Sequence, residues 1–257
     1  VENPQTVQSP DSLDDKIARA EYIRKLALKL NDVSPITEKP LTPVTMTKRA
    51  ADEDEVKFFI AYGPHGVGKS TYLAKCLAQL NHTWDPNILK RFLVWKPSML
   101  VDIVDYVEST GHDELMLGCD DAGVWLNALK WNHPLLAALT EYFDVIRMHF
   151  HGIMFTSPLP LHVIKRIRGL PQAITVKIIK LNRNLNKPRE GRGYTQYMLP
   201  DLKRTGVKPE FIDNFFAIMP EKFYSWYYPA RKSYTREAWA QVKLELRKYS
   251  HIEPPML

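Results

Sequence analysis

The sequence predicts a three-layer α/β sandwich around a mostly parallel, five-stranded sheet, with an N-terminal helix and a small C-terminal extension. Two observations carry this expectation. Short apolar runs rich in aromatic and β-branched residues alternate, over residues 56–179, with segments whose apolar side chains recur at helical spacing. Between the first such run, residues 56–62, and the helical segment after it lies Gly63-Pro64-His65-Gly66-Val67-Gly68-Lys69-Ser70, which fits GxxxxGK[ST].

That pattern needs its residue types at that spacing. Its glycines let consecutive backbone N–H groups curl around phosphate oxygens, Lys69 reaches the terminal phosphates, and Ser70 holds magnesium. Residues 63–71, from Gly63 to Thr71, are therefore the expected nucleotide-binding loop. The helix that follows places Tyr72, Leu73, Cys76, Leu77 and Leu80 on one face and turns its positive dipole end toward the anion. A second strand is expected at residues 91–95 and a helix near 98–109. Residues 115–121 then form an apolar strand ending in Asp120 and Asp121, carboxylates suited to a magnesium ion and an attacking water beside a phosphate loop. Asp120 would act on the metal through a water, and Asp121 would orient or deprotonate the nucleophilic water.

An amphipathic helix follows at residues 134–149, and a strand at 152–157 closes on Thr156 and Ser157. A hydroxyl there can sense the γ-phosphate or hold the water, or simply cap the turn before Pro158. Residues 161–168 suggest a short helix, and 173–179 the fifth strand. At the N-terminus, residues 12–31 have helical spacing, whereas 33–49 carry prolines and threonines without periodicity and suggest a linker. These features divide the chain into residues 1–50, a core at 51–181, and a basic and aromatic extension at 182–257.

Composition narrows the setting. With 45% hydrophobic and 25% charged residues, no apolar run approaches the ~18 residues of a membrane span, so no membrane partner is expected. The polar N-terminus lacks a secretory signal, and two cysteines support neither a disulfide framework nor a zinc site, which points to the cytoplasm. Charge is concentrated: residues 165–204 hold eleven basic and two acidic side chains, or +9, against +6 for the whole chain. Such a stretch suits a phosphate backbone, with Arg183, Lys187, Arg189 and Arg192 on an expected loop at 181–194 as contacts for DNA. Residues 223–228, four of them tyrosine or tryptophan, could stack on bases but more commonly pack in a core; a last helix is expected from Thr235 to Tyr249.

In the order of these parts, residues 56–181 resemble the AAA+ branch of P-loop ATPases, particularly the replication-initiator and helicase-loader type of archaeal plasmids or viruses. In this resemblance residues 63–71 are similar to Walker A, and residues 115–121 to Walker B with Asp-Asp in place of the common Asp-Glu. Thr156 or Ser157 matches the sensor strand end, and Arg166 and Arg168 the arginine finger that reaches a neighbouring subunit's γ-phosphate. One departure is the lack of a recognisable helical lid with a second sensor arginine after the fifth strand. The resemblance implies an ATP- and Mg2+-dependent DNA-associated ATPase, working as a homo-oligomer in replication initiation, helicase loading or a related mobile-element process. A DNA-packaging or translocating ATPase and a slow nucleotide-gated adaptor holding a protein partner are the alternatives.

Overall fold

The structure is a computed structural model and describes residues 39–126, 134–163, 165–170, 173–181, 188–199 and 204–249. The expected helix at 12–31 lies outside these residues. Seven strands occur among them: β1 (Lys57–Tyr62), β2 (Leu93–Val94), β3 (Glu114–Cys119), β4 (Phe150–Ser157), β5 (Ala173–Ile179), β6 (Arg189–Leu199) and β7 (Arg204–Phe215). They form one sheet in the order β2-β3-β4-β1-β5-β6-β7. The first five strands of that order pair in parallel, while β6 pairs antiparallel with β5 and β7 with β6.

The α-helices are α1 (Thr42–Asp52), α2 (Lys69–Leu80), α3 (Pro86–Leu89), α4 (Pro97–Thr110), α5 (Ala122–Trp125), α6 (Pro134–Val145), α7 (Lys165–Arg168) and α8 (Glu221–Tyr249). They cover the sheet on two sides, as strand chemistry requires. Along β1, Phe59 and Ala61 enter one core with α1, α2 and α8, while Phe58 and Ile60 enter the other with α4, α6 and α7. This alternation is the two-residue period of a strand, and burial on both faces explains why β1 reads as an unbroken apolar run. At the centre, all of β4 is buried, and it lies between β1 and β3, so three strand ends meet at one edge of the sheet.

Three expectations change. The stretch expected as a linker contains α1, with Pro43 in its first turn, where a missing N–H leaves no helical bond unmade. The sheet has seven strands rather than five: residues 189–199 and 204–215, too polar and glycine-containing to announce themselves, become strands by pairing onto the edge that β5 would otherwise expose. The loop expected at 181–194 therefore ends in β6. Finally, the aromatic segment and the last helix are one helix, α8, and Thr235 is not its cap, since its hydroxyl donates to the Arg231 carbonyl within the helix.

Asp213 on β7 fastens this added hairpin to the rest. Its carboxylate accepts from the Tyr72 hydroxyl of α2 (2.6 Å), and from the Thr42 backbone N–H (2.9 Å) and hydroxyl (2.6 Å) of α1. Tyr72 is fully buried, and burial together with the nearby carboxylate raises its pKa well above the usual phenol value. Asp213→Ala leaves that hydroxyl without an acceptor, so it should lower unfolding free energy by about 2–4 kcal/mol in urea titration. A loss below about 0.5 kcal/mol would show that this carboxylate does not hold the layers together.

Candidate nucleotide site

After β1 the chain must turn sharply beneath β5 and enter α2. Gly63 has φ +149°, and a Cβ there would lie 2.7 Å from the Ile178 carbonyl oxygen of β5, so no larger residue fits without moving backbone. Gly68 has φ +107°, and its Cβ would lie 2.9 Å from the Ala217 side chain, which seats the segment after β7 directly on the loop. Lys69 opens α2 and donates from Nζ to the carbonyls of Gly63 (2.8 Å) and Pro64 (2.9 Å). Burial lowers its pKa, opposed by Asp121 and Asp120. The loop is thus shaped with its lysine folded across it and the α2 N-terminus behind it, an arrangement that suits phosphate.

Asp120 follows β3 and is completely buried. A buried carboxylate needs donors, and this one has four. Oδ1 accepts from the hydroxyls of Ser70 (2.9 Å) and Thr156 (2.6 Å); Oδ2 accepts from Tyr227 Oη (2.5 Å) and Trp95 Nε1 (3.3 Å). Thr156 in turn accepts from the Asp121 backbone N–H (2.8 Å), and Trp125 Nε1 donates to the Asp120 carbonyl (3.3 Å). Asp121 itself is left-handed (φ 49°, ψ 34°), a conformation aspartate tolerates better than most residues. Arg231 donates to Asp121 Oδ2 from Nε (3.1 Å) and from Nη2 (2.7 Å). Burial, with Asp120 second, raises the Asp121 pKa above the ordinary aspartate value, while Arg231 and Lys69 pull it down.

Tyr227 and Arg231 belong to α8, which crosses over the loop and forms a lid on it. Their i, i+4 spacing places both on one helix face. Aromatic packing holds the helix there: Phe223 lies against Trp84 (5.6 Å between ring centroids), and Trp226 and Tyr227 against Trp95 (5.8 and 5.7 Å). Between lid and loop lies a cavity of about 900 Å³. Its walls are His65, Gly66, residues 68–71, Asp121, Arg189, residues 217–219 and the underside of α8 between Glu221 and Thr235.

The structure brings together Lys69, Ser70, Asp120, Asp121 and Thr156, and separates several other expected residues from them. Ser157 donates to the Leu159 carbonyl, so of the two hydroxyls this one caps the turn. Arg166 pairs with Asp144, Arg168 donates to the Val163 carbonyl (2.7 Å), and neither lines the cavity. Arg183 and Lys187 lie outside the described residues. Arg189 is only 2% exposed and lines the nucleotide cavity, while Arg192 is held by Glu190 (2.7 Å), so these two sit on a strand and not on a flexible loop. Within the aromatic segment Phe223 and Tyr227 are buried, whereas Tyr224 and Tyr228 are exposed. Sequence reasoning does not single out Tyr227 and Arg231 as site residues; their four-residue spacing is the available signal, hidden when the segment is read as separate from the last helix.

A magnesium ion fits the pair Ser70 and Asp120. Among the described residues no three His, Cys, Asp or Glu side chains gather to hold a metal alone. One hydroxyl and one carboxylate, completed by phosphate oxygens and water, is the donor set magnesium takes at such a loop.

No protein-family model matches the chain. It is 23% identical over 212 residues to the uncharacterized protein B-251 of Sulfolobus spindle-shape virus 1, covering 76% of this chain and 82% of that protein. Among solved structures, the N-terminal domain of zonular occludens toxin from Neisseria meningitidis matches with a TM-score of 0.37 at 12% identity, over 66% of this chain and 98% of that one. EccC of Thermomonospora curvata (ATPases 2 and 3, with a signal sequence peptide) matches at 0.32 and 15% identity, over 63% of this chain and 37% of that one. A KaiC-like protein of Pyrococcus horikoshii OT3 matches at 0.29 and 13% identity, over 61% and 90%.

The Asp121–Arg231 pair has a direct readout. Carboxyl-carbon NMR should place the Asp121 pKa above that of an exposed aspartate, and Arg231→Ala should raise it further, because the guanidinium favours the ionised form. An unchanged or lower value in the variant would refute the pairing. Tyr227→Phe removes one donor from a buried carboxylate and should cost about 1–3 kcal/mol of stability in urea titration.

Proposed function

We propose that this chain binds and hydrolyses ATP with Mg2+ and acts as a DNA-associated switch in replication initiation, helicase loading or a related mobile-element process. The observation that carries the hydrolytic part is the 2.9 Å contact between Ser70 and Asp120 at a glycine-shaped loop, with Asp121 next to them. Mg2+ would supply charge neutralisation between the phosphates and this Ser70–Asp120 pair. The loop N–H groups and Lys69 hold the phosphate chain. Thr156 fixes Asp120 through its side chain and Asp121 through its backbone, so the two carboxylates keep separate tasks. Asp121, whose pKa burial raises above the ordinary aspartate value, is suited to take a proton from water.

The DNA part draws support from the concentration of basic residues at 165–204 and from the viral source of the matching protein B-251. Action as a homo-oligomer belongs to the same reading, with Arg166 or Arg168 as the residue offered to a neighbour. The second reading, a slow nucleotide-gated adaptor, is favoured by one observation: Arg231 occupies the carboxylate that hydrolysis needs. A base held by a guanidinium hydrolyses little until the lid moves.

ATPase assays with and without single- and double-stranded DNA separate these readings. Lys69→Ala should abolish ATP binding, and Asp121→Asn should keep binding while lowering kcat by about 10²- to 10⁴-fold. DNA that neither binds nor changes turnover at low salt would eliminate the DNA-switch reading in favour of the adaptor. Since Arg231 lowers the Asp121 pKa, the acid limb of the rate profile should move to higher pH in Arg231→Ala. Mixing Lys69→Ala subunits with Arg166→Ala or Arg168→Ala subunits should restore activity only if one of these arginines acts across a subunit boundary.

A further inference from the structure

We infer that Tyr224 and Tyr228 form the seat for a purine base, so that these two side chains set the base preference of the cavity. This rests on the phosphate-loop reading above. The two rings stand one helical turn apart on α8, stacked at 24° with centroids 5.5 Å apart, and both line the cavity. On the adjoining face of the same helix, Phe223 and Tyr227 are 0% and 4% exposed, as packing demands, yet Tyr224 and Tyr228 are 44% and 51% exposed. Exposed rings on the wall of a cavity offer an aromatic face to a ligand that stacks.

Volume and polarity point the same way. The cavity, about 900 Å³, is of the size that encloses a whole organic ligand, more room than a triphosphate alone fills. With phosphates at Lys69 and Ser70, the remainder of the ligand extends between the loop and α8. There the wall is residues 217–219, a connection between β7 and α8 that belongs to no helix or strand. A bicyclic base covers a tyrosyl ring more fully than a single-ring base, which makes purines the favoured class. The shared wall with the phosphate loop favours a nucleotide over a nucleic-acid strand as the occupant.

Isothermal titration of the full chain with ATP, GTP, CTP, UTP and inorganic triphosphate, each with Mg2+, tests this seat. Both purine nucleotides should bind about tenfold or more tighter than inorganic triphosphate, and tighter than the pyrimidines. Tyr224→Ala/Tyr228→Ala should bring ATP to the affinity of inorganic triphosphate and leave the latter unchanged, while the corresponding double Phe variant keeps the preference. Equal binding of all five ligands overturns the seat but leaves the phosphate loop standing. An equal loss for ATP and inorganic triphosphate in the double Ala variant overturns it too, by showing a structural role. Failure of inorganic triphosphate and every nucleotide to bind would bring down the phosphate-loop reading itself, and the seat with it.

Discussion

Asp120 is the constraint on which the site depends. A carboxylate removed from water must have its oxygens satisfied, and here the donors come from four different parts of the chain: α2, the end of β2, β4 and α8. Each must arrive within hydrogen-bond distance of the same two atoms. The positions of the glycine-rich loop, Thr156 and the lid are therefore linked through one side chain. Oδ1 takes the donors of α2 and β4, and Oδ2 those of α8 and the end of β2, so each oxygen joins two parts of the chain.

The neighbouring acid adds to that linkage. Asp121 leaves the strand in a left-handed conformation and meets Arg231 and not the loop lysine. The two acids thus hold α8 twice, Asp120 by Tyr227 and Asp121 by Arg231, one helical turn apart. Surface ion pairs such as Lys96–Glu237 and Lys222–Asp85 add little to this hold, being exposed. Aromatic packing around Trp95 and Phe223 supplies the apolar part, so α8 is docked over the loop by packing and by both acids.

At the far side of α2, Asp213 repeats the same logic. Its bonds to Tyr72 and Thr42 draw β7 against α1 and α2, and Ala217, four residues later, closes on Gly68. Residues beyond 181 are in this way part of the sheet and part of the cavity wall. The hairpin whose sequence suggests a basic loop positions Arg189 inside the cavity and leads the chain to the start of the lid.

Local chemistry is legible in the sequence. The phosphate loop, β1, β5, the acids closing β3 and the hydroxyls closing β4 each depend on residues adjacent in the chain, and strand periodicity or glycine spacing marks them directly. Tyr227 and Arg231 are not legible in the same way, because Pro229 between them argues against a continuous helix, and the surrounding aromatics suit a core or a platform equally well. Strands β6 and β7 escape for another reason: their polar alternation carries little signal, and the open edge of β5 is what makes them strands. The sequence by itself thus determined the glycine-rich loop with its lysine and serine and the two acids that stand beside it, since those are short-range patterns. Only the tertiary structure decided what covers the site and which groups those acids hold, because the partners of Asp120 and Asp121 lie 107 and 110 residues away.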